Sequence, residues 1–71
     1  MSKKRFVEFY LAAMLKAATG GKVTGLVYDD SGTLELVRVF QGDTDRQKVN
    51  VTGDSLLATA ADVIQAVRLW L

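Results

Sequence analysis

The chain of 71 residues contains no cysteine, no histidine and no proline. Without cysteine there is no disulfide. Without cysteine or histidine, the thiolate and imidazole ligands of ordinary zinc sites are missing as well. The usual general base and the softest nucleophile go with them, so catalysis would fall to lysines, carboxylates or the hydroxyls of Ser31, Ser55, Tyr10 and Tyr28. No periodicity sets two of these on a common concave surface. The absence of proline favours long uninterrupted elements. No stretch approaches the ~20 consecutive apolar residues of a membrane span. The expectation is a non-enzymatic protein with no catalytic residue, no metal, no cofactor and no membrane. A cytoplasmic setting is expected, although missing cysteine fits any compartment.

What is present is globular in composition, at 49% apolar and 24% charged residues. The length predicts one small domain, 1–71, near the lower limit for folding alone. With disulfides and metals excluded, self-association is the remaining common support. The net charge of +1 is unevenly spread. Residues 1–22 hold five basic residues against Glu8, a net +4, and residues 23–71 hold four basic against seven acidic, a net −3. Such a dipolar chain can associate head to head or bind an acidic partner weakly, but it lacks the basic excess of a typical nucleic-acid binder. Lys3-Lys4-Arg5 before Phe6 to Ala18 has the order of a secretory signal, yet Glu8 and Lys16 interrupt the apolar run.

Residues 4–18 read as a helix, with Phe6, Val7, Tyr10, Leu11, Met14 and Ala17 at helical spacing and Gly20 as the stop. Residues 22–29 and 33–41 read as a β-hairpin whose Asp29-Asp30-Ser31-Gly32-Thr33 connection fits a type I turn closed by Gly32. That loop sets Asp29 opposite Thr33, Val27 opposite Glu35 and Gly25 opposite Val37. Gly42 to Arg46 reads as a polar loop, and the alternation of Gln47 to Val51 as a short third strand at an edge. Thr52 or Asp54 would cap a final amphipathic helix running to about Leu71, with Leu56, Leu57, Ala60, Val63, Ile64, Val67, Trp70 and Leu71 on its core-facing apolar arc and Ser55, Thr59, Asp62, Gln65 and Arg68 on its polar side. The fold class is therefore α+β, in the order α-β-β-β-α, a three-stranded antiparallel meander with two helices packed on the sheet.

Two features exceed what a two-layer core hides. The first helix has a wide apolar arc with Phe9 and Leu15 on opposite flanks. The hairpin is apolar on both faces, Val23, Val27, Val37, Val39, Val49 and Val51 on one and Leu26, Tyr28, Leu34, Leu36 and Phe40 beside Arg38 on the other. Either one helix covers each face, or one face or the helix flanks form an interface, most simply of a symmetric homodimer with a further protein partner possible. The candidate interface residues are Phe9, Leu15, Leu26, Tyr28, Leu34, Leu36, Arg38 and Phe40. Trp70 lies at the edge of the last helix's apolar arc, where a core plug is simpler than an interface anchor.

Other motifs have plainer readings. Gly42-Asp43-Thr44-Asp45 lacks the further oxygen ligands of a Ca²⁺ loop. Asp29-Asp30 suits a turn. Thr19-Gly20-Gly21-Lys22 follows a helix and precedes a strand, the reverse of a phosphate-binding loop. Lys3, Lys4, Arg5, Lys16 and Lys22 are the candidate phosphate contacts of an alternative reading, a weak nucleic-acid binder. The element order is similar to that of double-stranded RNA-binding domains, a likeness of topology alone. That family places phosphate-contacting lysines at the start of its last helix, where this chain has Thr52-Gly53-Asp54-Ser55-Leu56.

Overall fold

A computed structural model describes residues 2–70. Its elements run α1 (Lys3–Arg5), a π-helical stretch (Phe6–Leu11), α2 (Ala12–Ala18), β1 (Val23–Tyr28), β2 (Leu34–Phe40), β3 (Asp43–Lys48) and α3 (Leu56–Trp70). The first three segments form one continuous opening helix. The three strands form an antiparallel sheet in the order β1-β2-β3. The architecture is the expected α+β meander.

The opening helix starts at Ser2, whose hydroxyl accepts from the Arg5 N–H. It stops in a Schellman arrangement, the Gly21 N–H on the Lys16 carbonyl at 2.8 Å, with Gly20 and Gly21 both at positive φ. Its core stripe is Val7, Leu11 and Leu15. A spacing of four overshoots an α-helical turn by about 40° per step, so this stripe would drift off the sheet. The wider π turn takes up part of that overshoot, which keeps all three side chains inward.

The hairpin register is the expected one, with Val27 opposite Glu35 and Gly25 opposite Val37. The Asp29 N–H reaches the Thr33 carbonyl at 2.9 Å, and Gly32 sits at φ 86°. One difference follows from a bulge between Val23 and Gly25, which sets Val23 opposite Arg38. Val23 is thereby turned from the Val27 face to the Leu26 face, where it is fully buried.

The third strand departs from expectation. Residues 43–48, read as mostly loop, form β3, joined to β2 by a two-residue turn in which Gln41 (φ 52°) and Gly42 (φ 84°) both have positive φ. Asp-Thr-Asp-Arg-Gln-Lys has little strand propensity. Cross-strand complementarity stands in for it, because Arg38 lies opposite Asp45 and Glu35 opposite Lys48. Val49 and Val51 therefore do not extend a valine face. Val49 is buried in the core, its N–H on the Leu34 carbonyl at 2.9 Å, and Val51 lies beyond the strand.

The last helix is capped by Ser55, not by Thr52 or Asp54, since the Ser55 hydroxyl accepts from the Ala58 N–H. Thr59, expected on the polar side, is fully buried together with Val63, whereas Leu57 is 82% exposed. The helix is turned by about 60° from the orientation its apolar arc favours. Two polar anchors account for the turn. Asp62 accepts from the Thr52 N–H at 2.8 Å and from its hydroxyl, and the Arg38 guanidinium donates to the Trp70 carbonyl at 2.6 Å. Val7, Leu11, Leu15, Val23, Leu26, Leu34, Leu36 and Val63 belong to one buried cluster, so both helices cover the same sheet face.

Candidate interaction surface

With both helices on the Leu26 face, the sequence-derived interface candidates separate. Leu15, Leu26, Leu34 and Leu36 are core residues, covered by the chain's own helices, and offer no surface to a partner. Arg38 is also buried. Its guanidinium lies between two aromatic rings, 3.8 Å from the Trp70 centroid and 4.6 Å from that of Phe40. It also donates to the Asp45 carboxylate at 3.3 Å. Arg38 ties the end of α3 to the sheet, and Trp70 is packed against the core as its position on the arc suggested.

Tyr28 is half-buried. Its hydroxyl has no hydrogen-bond partner, and burial followed by the nearby Glu8 charge pushes its pKa up. The Glu8 carboxylate accepts from the Tyr28 backbone N–H at 2.9 Å, occupying a main-chain donor on the free edge of β1.

Of the original candidates, Phe9 and Phe40 remain well exposed. Phe9, at 66%, is joined on the opening helix by Tyr10 and by Met14 at 64%. The Arg5 guanidinium sits over the Phe9 ring at 5.6 Å. Sequence reasoning missed the companions on α3, Leu57 and Ile64, because it placed both in the core. Their exposure follows from the turn of α3 towards Thr59. Helical spacing sets Leu57 and Ile64 on the flank of α3 opposite Asp62 and Leu69, which face β3. The two exposed apolar sets thus lie on one helical layer, the opening helix seated on β1 and α3 over β2.

The uncovered sheet face is less apolar than expected. Val27 and Val37 are half-buried and Val39 is exposed, but Glu35, Thr44, Arg46 and Lys48 alternate among them. An Arg46–Glu35 ion pair at 3.6 Å crosses this face. It is the mixed surface of an ordinary solvated antiparallel sheet.

The basic residues are not gathered into a patch. Lys3 and Lys4 line a cleft shared with the acidic Asp29 and Asp30. Lys16 lies eleven residues beyond Arg5 along the helix, roughly 17 Å away. Among the described residues there is no group of three acidic side chains that could hold a metal ion, and no helix is long and apolar enough to cross a membrane.

No family model, curated protein or solved structure matches this chain. The functional reading therefore rests on the geometry above.

Proposed function

We propose that this chain is a non-enzymatic protein-interaction module that works as a homodimer, its two copies meeting through the exposed apolar flanks of their helical layers. The observation that carries the reading is the set Phe9, Tyr10, Met14, Leu57 and Ile64, exposed together on that layer. At about 200 Å² for a large aromatic side chain, the set offers on the order of 500 Å² of apolar surface. That lies at the upper end of what a monomer carries. With a rim, it approaches the roughly 800 Å² per partner of a standard interface. A two-fold contact uses the same patch twice and needs no second surface.

The other side of the reading is the use to which polar groups are put. Glu8 is bonded to β1, Arg38 to α3 and Asp62 to the segment before α3. Each holds an element in place, and this favours a binding scaffold over a reaction centre.

Sedimentation equilibrium over a concentration series tests the proposal. A concentration-dependent dimer is expected, and Phe9→Glu combined with Met14→Lys is expected to shift it to monomer with the fold retained by circular dichroism. A strict monomer at high micromolar concentration overturns the reading. So does a dimer indifferent to these substitutions.

A further inference from the structure

The β3 edge carries a second recognition feature, distinct from the helical layer. In the β2–β3 ladder, the odd-numbered residues of β3 exchange hydrogen bonds with β2, a pattern that Val49 continues onto Leu34. The backbone N–H and C=O groups of Thr44, Arg46 and Lys48 consequently point away from the sheet, and β3 is an edge strand. Such an edge is a template for one more strand.

The side chains specify what kind. Asp43, Asp45 and Gln47 project to the helix side, where Asp45 meets Arg38, while Thr44, Arg46 and Lys48 project to the outer side. Each side of β3 thus carries charge of one sign, acidic towards the helices and basic away from them. Directly opposed residues in an antiparallel pair share a side of the sheet. Every two-fold pairing of β3 with its own copy therefore opposes like charges. Centred on Thr44 or Asp45 it sets acid against acid, and centred on Arg46 or Gln47 it sets base against base. A second copy of this chain is rejected at this edge.

Beside the edge, on the helix side, is a groove of about 410 Å³ between β3 and α3. Ala66, Leu69 and Trp70 supply its apolar lining, and Gln47, Asn50 and Gln65 its amide groups. Leu69 is 78% exposed there. The volume falls in the range of small binding sites and has room for one large side chain.

We infer that the β3 edge docks an extended peptide segment of a different protein, added antiparallel as a fourth strand. The charges fix its pattern. A large apolar residue opposite Gln47 enters the groove. The next residue, opposite Arg46, is acidic, and the residues opposite Asp45 and Asp43 are basic. This inference names a partner for the interaction module proposed above, but it uses a different surface.

The test uses the full chain and a capped, tryptophan-free peptide carrying leucine, glutamate, lysine, threonine and lysine in that order. Emission from Trp70, the chain's single tryptophan, reports occupancy of the groove. Saturable binding is expected, weakened tenfold or more by Asp43→Lys with Arg46→Glu, and restored by a peptide whose glutamate and final lysine are exchanged, the lysine opposite the unchanged Asp45 being kept. Thr44→Pro, which removes an outward N–H while leaving the ladder to β2, is expected to weaken both peptides. A scrambled peptide of the same composition binding equally well overturns the inference, as does indifference to the charge reversal. The Phe9→Glu, Met14→Lys variant is expected to bind the peptide like the parent chain. Dimerisation without peptide binding refutes the edge and leaves the dimer reading standing, and peptide binding by a strict monomer does the converse.

Discussion

The guanidinium of Arg38 lies 3.8 Å from the centre of the Trp70 ring and donates to the Trp70 carbonyl at 2.6 Å. One side chain of β2 thus holds both the ring and the backbone of the last helix. Truncating it leaves a carbonyl and a carboxylate without their donor and removes the plane on which Trp70 rests. Arg38→Ala is expected to lower stability by about 2–3 kcal/mol in urea unfolding. Arg38→Lys is expected to recover less than half of that loss, because an ammonium can neither stack nor fork.

Thr59 presents the opposite case, a buried hydroxyl with no hydrogen-bond partner. Nothing in the fold gains from it. Thr59→Val keeps the shape and removes the unpaired group, and is expected to raise unfolding stability by about 1 kcal/mol. A loss of stability on this substitution would show that the hydroxyl is in fact bonded.

Gln41 adopts φ 52° in the two-residue turn between β2 and β3. Asparagine tolerates this left-handed conformation better than glutamine, and Asn-Gly is the favoured pair for such a turn. Gln41→Asn is expected to raise the melting temperature slightly and to increase amide-exchange protection in β3. Gln41→Val, β-branched at positive φ, is expected to lower both.

Among the described residues, the stability profile with pH has one identifiable group on each limb. Hydrogen bonds from the Ser31 hydroxyl, then from the Thr33 and Ser31 backbone N–H groups, hold the Asp29 carboxyl below its ordinary range. With the folded value below the unfolded one, its contribution is complete above about pH 4 and is lost as pH falls through the folded value. For Tyr28 the folded value is raised, by burial and then by Glu8. Its contribution is complete below about pH 10 and is lost as pH rises further. Thermal unfolding across pH is expected to show a shallower acid limb in Asp29→Asn and a shallower alkaline limb in Tyr28→Phe.

The elements that were legible in the chain are those specified by neighbours in sequence. Gly20 and Gly21 end the opening helix by local backbone geometry. The Asp29 to Thr33 loop fixes the hairpin register, because its length admits few turn types. The third strand was misplaced because its local signals are weak. A charged hexapeptide resembles loop until Arg38 and Glu35 are set opposite it. The Gln41-Gly42 pair was the available clue. Of the candidate surface, only Phe9 and Phe40 were read as surface and found there.

Periodicity and turn chemistry, acting over a few residues, determined that this chain makes a helix, a hairpin and a second helix around a three-stranded meander. The tertiary structure alone decided which apolar residues are spent inside. A bulge turned Val23 inward, and a buried arginine and an Asp62–Thr52 bridge turned the last helix onto Thr59. Residues far apart in sequence make those contacts, and their directional hydrogen bonds outweighed the non-directional preference of a hydrophobic arc. Leu57 and Ile64 were left facing outward as a result.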